Sequence, residues 1–127
     1  MKIADNNFSQ SALILARSSL AFHIKDESLG FVTVASQFSV FLVEALSSME
    51  HFKTVVVDGS CLNLMDFKTT RLNLLRALIK RHPEVRFLLF SDEDLCVYEL
   101  SFSNLVVVEE KLSKELLASW VGIHSVN

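Results

Sequence analysis

The chain of 127 residues is 50% apolar and 21% charged, with a mean hydropathy of +0.37, which excludes a disordered tail, a collagen-like repeat and a disulfide scaffold. Twelve Lys and Arg against fifteen Asp and Glu leave a net charge of −3, a poor balance for wrapping a phosphate backbone, so no direct nucleic-acid partner is expected. The length suits a single domain over 11–127 with a loose lead-in at 1–10, and a core large enough to need no metal or disulfide.

Leu20, Phe22 and Ile24 alternate with Ala21, His23 and Lys25, a period of two that predicts a half-buried strand. The apolar run 12–16 allows that strand to begin earlier. Asp26-Glu27-Ser28 reads as a turn and Phe31-Val32-Thr33-Val34 as a second strand, so the two are expected to form an antiparallel hairpin. From Phe38 the spacing changes: Phe38, Phe41, Leu42, Ala45, Leu46 and Met49 fall on one helical stripe. Val55-Val56-Val57 is a continuous β-branched run, the mark of a central strand covered on both faces. Leu72, Leu75 and Ile79, with Leu74 and Leu78 beside them, predict a helix that Pro83 stops. Asp66, Thr69 or Thr70 is placed to cap its start.

A strand follows over 85–90. Ser91 and Asp94 stand at capping-box spacing before a short predicted helix over 95–100. Leu105-Val106-Val107-Val108 is the next strand. Ser113 opens the last helix, with Leu116, Leu117, Trp120 and Val121 inward and Gly122 at its end. The expected order is β-β-α-β-α-β-α-β-α. That is an α/β domain with a mixed sheet of four to five strands, mostly parallel, with one or two edge strands running the other way.

Cys61 and Cys96 fit no CxxC or zinc spacing and read as buried small residues. The first seven residues lack the basic end and apolar run of a secretory leader, and no stretch is apolar for long enough to span a bilayer. A cytoplasmic location without membrane insertion is expected. GxGxxG, GxxxxGK[ST] and GxSxG are all missing, so neither dinucleotide, P-loop nor nucleophile-elbow chemistry is indicated. His23, His51, His82 and His124 are scattered; a nucleophile pair of Cys61 with His51 or His82 requires them to meet in space. Asp92-Glu93-Asp94 and Glu109-Glu110 read as a charged helix start and a solvated strand end. The chain is therefore expected to be no enzyme and to hold no metal or cofactor. Phe67 stands between Asp66 and Lys68, with Arg71 nearby. An apolar ring rimmed by charge at the mouth of a helix has the composition of a docking patch, or of a staple folded under its own loop.

Thr54-Val55-Val56-Val57-Asp58 followed by Leu62-Asn63-Leu64-Met65-Asp66 resembles the strand, loop and Met-Asp step of the STAS domain, the module of anti-sigma-factor antagonists and sulfate transporters. The similarity runs from Leu20 to about Trp120. It implies a STAS-like fold and a non-enzymatic module that binds a protein partner: a regulatory kinase-like protein, a sigma-regulating factor or a transporter subunit. The implied contact residues are Asp58, Asp66, Phe67, Lys68, Thr69, Thr70 and Arg71. In the sigma-regulating branch a second hydroxyl after the Asp accepts phosphate. Here Lys68 stands at that position, and Thr69 or Thr70 substitutes only if the loop is shifted. The implied binding is thus not switched by phosphorylation. Ser36-Gln37 also replace the Gly that usually ends the second strand.

The alternative resemblance is to a response-regulator receiver, with Asp58 as phosphate acceptor, Ser91 as switch hydroxyl and Lys111 as the phosphate-pairing lysine. A receiver needs two acids at the end of its first strand to hold Mg²⁺, because a carboxylate accepts phosphate only when a metal screens the charge. Arg17-Ser18, or Asp5-Asn6 at an awkward distance, stand there instead. The receiver reading is therefore of a degenerate domain acting in signalling or transcription regulation.

Overall fold

Four apolar runs carry the sheet, and each is short enough to be a strand. In the computed structural model, which describes residues 11–24, 32–62, 68–92 and 102–122, these are β1 (Ala12–Leu15), β3 (Thr54–Asp58), β4 (Arg86–Phe90) and β5 (Leu105–Val108), joined by β2 (Val32–Ala35). The helices are α1 (Ser18–Ala21), α2 (Phe38–Ser48), α3 (Lys68–Arg81) and α4 (Lys114–Val121), with single 3₁₀ turns at Met49–His51 and Gly59–Cys61. None of the described helices is long and apolar enough to cross a membrane.

The five strands form one sheet in the order β2-β1-β3-β4-β5, and every neighbouring pair is parallel. Successive strand residues point to opposite faces, and both faces are covered. Leu13, Leu15, Val55, Val57, Phe87 and Leu89 pack against Phe38, Phe41 and Ala45 of α2 and Leu75, Leu78 and Ile79 of α3. Ala12, Ile14, Val56, Leu88 and Phe90 pack against Leu20 and Ile24 on one side of the chain and Leu112 and Leu117 of the α4 region on the other. All four residues of β1 are fully buried, as are Val55 and Val56, which is why these runs lack a polar alternation.

The chain leaves β1 in one direction to reach β2, then crosses back over β1 to β3 and continues outward. Right-handed crossovers taken in opposite directions put their helices on opposite faces. That accounts for α1 lying on one face and α2 and α3 on the other. The arrangement is the doubly wound, flavodoxin-like strand order.

Among the described residues the expected antiparallel hairpin is not formed, and no edge strand of the sheet runs the other way; the expected turn at 26–28 lies outside them. Leu20 and Phe22 belong to α1 and the turn that follows it, and the first strand is 12–15. Leu20 and Ile24 are four apart, a spacing that fits both an alternating strand and one helical turn. Phe22 separates the two readings: a strand would bury it with its neighbours, and it is 85% exposed. The all-parallel sheet therefore supports the α/β class and lacks the leading ribbon of the STAS expectation.

The other elements sit close to their expected places. The α2 stripe buries Phe38, Phe41, Ala45 and Met49, but Leu46 stays 61% exposed. Thr69 and Thr70 lie inside α3 and do not cap it, because the helix already begins at Lys68. Ser113 caps α4 by accepting from the Leu116 amide, and Gly122 closes it with φ +73°. The lead-in at 1–10 and the predicted helix over 95–100 lie outside the described residues.

Candidate functional site at the carboxyl ends of β1 and β3

In an open parallel sheet the crevice forms where the strand order reverses, outside the carboxyl ends of the two strands whose chains depart in opposite directions. Here these are β1 and β3. Arg17 follows β1 by two residues, and Asp58 is the last residue of β3. The register that pairs Leu15 with Val57 brings both to the same edge.

Asp58 is 1% exposed. Its Oδ2 accepts from Arg17 Nη1 at 2.8 Å and from the Arg17 backbone N–H at 3.1 Å. Its Oδ1 accepts from the Ser60 N–H at 3.0 Å and the Ser60 hydroxyl at 2.8 Å. Each carboxylate oxygen is thus held by two donors. The bond to the Ser60 amide also closes the 3₁₀ turn after β3.

Beside this pair lies a cavity of about 390 Å³. The end of β1 contributes Arg17 and Ser18, the β2–α2 junction Ser36, Gln37, Phe38 and Ser39, the turn after β3 Ser60 and Cys61, and α3 Arg71. Arg71 Nη1 donates to the Cys61 carbonyl at 2.8 Å, and its guanidinium lies 5.2 Å from the centre of the Phe38 ring. The cation is therefore pinned between the end of β3 and the first residue of α2. Burial, reinforced by the charge of Asp58, pushes the Cys61 thiol up to about 12, so at neutral pH it is no thiolate nucleophile. His51 precedes β3 and His82 follows α3 just before β4. Both lie at the amino ends of the strands, whereas Cys61 lies at the carboxyl ends, so no Cys–His pair forms. Among the described residues no three His, Cys, Asp or Glu side chains come together as a metal site.

Of the residues expected to contact a partner, Asp58 is buried and internally paired. Thr70 is exposed and Arg71 half-buried on the first turn of α3. Asp66 and Phe67 lie outside the described residues; Lys68 and Thr69 begin α3, and their side chains also lie outside that description. The three receiver-like positions do share one edge of the sheet: Asp58 ends β3, Ser91 follows β4 and Lys111 follows β5. A Cβ on Gly59 would meet Ser91 Cβ at 2.6 Å, so the ends of β3 and β4 touch closely here.

Arg17 is the residue that sequence reasoning undervalued. In the sequence it stands only where a receiver would carry an acid, and the alternation of Leu20, Phe22 and Ile24 places a strand after it. A basic residue directly after the fully apolar run 12–16 was the available signal. Ser36, Gln37 and Ser39 carried no signal of their own; the β2–α2 junction reaches the site only through the order of strands.

Compared with known proteins, the chain matches no family model, no curated protein and no solved structure.

Proposed function

We propose that the chain is a non-enzymatic regulatory module that binds a protein partner and is not switched by phosphoryl transfer to Asp58. The observation that carries this reading is the occupation of Asp58. An aspartate that accepts phosphate needs an accessible oxygen and a metal ion to screen the incoming charge. Both oxygens of Asp58 are engaged, and among the described residues no acid cluster forms beside it. A guanidinium stands at the end of β1, where it neutralises the carboxylate and repels a divalent cation.

The doubly wound strand order favours the degenerate receiver form of this reading. The STAS form has lost the hairpin on which it leaned and keeps the Asp58-to-Asp66 step. In either form the contact surface is assigned to 66–71, with Phe67 as anchor and Lys68 and Arg71 steering an acidic partner.

The test is a titration of the chain with beryllofluoride and Mg²⁺, followed by amide spectra, beside incubation with acetyl phosphate followed by mass. Unchanged resonances at Asp58, Gly59 and Ser91 and an unchanged mass are expected. A Mg²⁺-dependent shift centred on Asp58, or a phosphorylated species, would overturn the reading.

A further inference from the structure

We propose that the cavity between the ends of β1, β2 and β3 binds a small phosphomonoester as a non-covalent ligand. The inference deepens the reading above and rests on it in one respect: Asp58 is engaged by Arg17 and adds no charge to the lining.

The chain as a whole has more acids than bases, fifteen against twelve. Among the described residues the cavity lining reverses that balance: it holds two guanidiniums and no carboxylate, and with Arg17 paired to Asp58 the charge of Arg71 is left uncompensated. Three hydroxyls, from Ser18, Ser36 and Ser39, complete the donor set, the Ser60 hydroxyl being spent on Asp58. Both cations are held in place by bonds on one nitrogen, Arg17 to Asp58 and Arg71 to the Cys61 carbonyl. Among the described residues neither guanidinium makes a further side-chain bond. A guanidinium carries five N–H donors, so each retains a fork for a ligand. Fixing the cations in advance lowers the ordering cost of binding.

The geometry of the donors selects the anion. One fork satisfies a planar carboxylate, whereas two forks, one from the residue that follows β1 and one from α3, with hydroxyls beside them suit a tetrahedral, doubly charged phosphoryl group. The first turn of α2 adds backbone amides on the same side, since Gln37 makes no side-chain cap there. The volume, about 390 Å³, falls within the usual range of small-molecule clefts and exceeds what a bare phosphate fills. A sugar-sized body attached to the phosphate fits that space. The position is the crevice of the sheet, where open α/β folds take their ligands.

The experiment titrates the full chain, followed by amide spectra, with ribose 5-phosphate, ribose, inorganic phosphate and a phosphoserine peptide. Saturable shifts at Ser39, Ser60 and Arg71 are expected with ribose 5-phosphate, weaker ones with phosphate and none with ribose. Arg71→Gln is expected to weaken binding about tenfold or more. Ser39→Asp places a negative charge in the first turn of α2, which the helix tolerates and the anion does not. It should keep the melting temperature and lose the binding. No saturable shift, shifts that survive both substitutions, or binding of the peptide without the sugar phosphate would each overturn the proposal. A beryllofluoride response at Asp58 with intact sugar-phosphate binding would defeat only the locked-aspartate reading. Loss of sugar-phosphate binding with a silent Asp58 would defeat only this one.

Discussion

Arg17 and Asp58 are unequal partners. The Asp58 side chain is 1% exposed and that of Arg17 is 29% exposed. Removing the arginine side chain leaves a buried carboxylate with neutral donors only, the Ser60 amide and hydroxyl and the residue-17 backbone N–H, whereas removing the carboxylate charge leaves an arginine that can turn to water. Arg17→Ala should therefore cost about 2–4 kcal/mol in urea unfolding, and Asp58→Asn distinctly less, because the amide oxygen still accepts from Ser60. Equal losses would show that the pair is not a buried-charge device. Cys61 supplies a pH dependence. Its thiol ionises near 9.0 in the unfolded chain and near 12 in the folded one. The folded state thus prefers the neutral thiol, and its contribution is complete below pH 9 and declines as pH rises toward 12. The melting-temperature difference between wild type and Cys61→Ala should be constant below pH 9 and fall above it. A flat difference across that window would refute the assignment.

Strand ends and helix ends are joined by single residues. Gly59 lies where β3 meets β4: an added Cβ would stand 2.6 Å from Ser91 Cβ and 2.7 Å from the Phe90 carbonyl oxygen. The obstacle is partly backbone, so it cannot swing aside. Gly59→Ala should lower stability by about 1–3 kcal/mol, read as a shifted denaturation midpoint. An unchanged midpoint would mean that the two strand ends separate freely. At the opposite edge, Asn104 Nδ2 donates to the carbonyls of Ile79, His82 and Val85 at 3.1, 2.9 and 3.1 Å. This one amide ties the start of β5 to the end of α3 and to the turn containing Pro83. Asn104→Ala should cost about 1–3 kcal/mol, since it removes the donor that three part-buried carbonyls share. A loss confined to a few tenths would show that water replaces the amide.

The molecule is one sheet between two apolar layers, and its stability should grade from centre to edge. β1, β3 and β4 are buried on both faces, while β2 and β5 are edge strands with partly exposed residues. Native-state hydrogen exchange should find the amides of Ile14, Val56 and Leu88 slowest and those of β2 and β5 fastest. Uniform protection would contradict the layered core. The same layering explains what could be read in advance. Helices α2, α3 and α4 and strands β3, β4 and β5 declare themselves by spacing, by Pro83 and by the Ser113 and Gly122 caps, all of them local signals. β1 was obscured because an apolar run at 12–16 stood beside the alternation of Leu20, Phe22 and Ile24, and only the exposure of Phe22 separates a strand from a helical turn there.

Composition and periodicity alone established an α/β chain, the place of most elements and Asp58 at the tip of a central strand. They could do so because burial imposes its pattern residue by residue along the chain. The direction of every strand, the reversal between β1 and β3 and the meeting of Arg17 with Asp58 were settled by folding. Arg17 and Asp58 are 41 residues apart in sequence. No local pattern encodes such a pairing; it exists only once right-handed crossovers and two-sided burial have chosen the order of the strands.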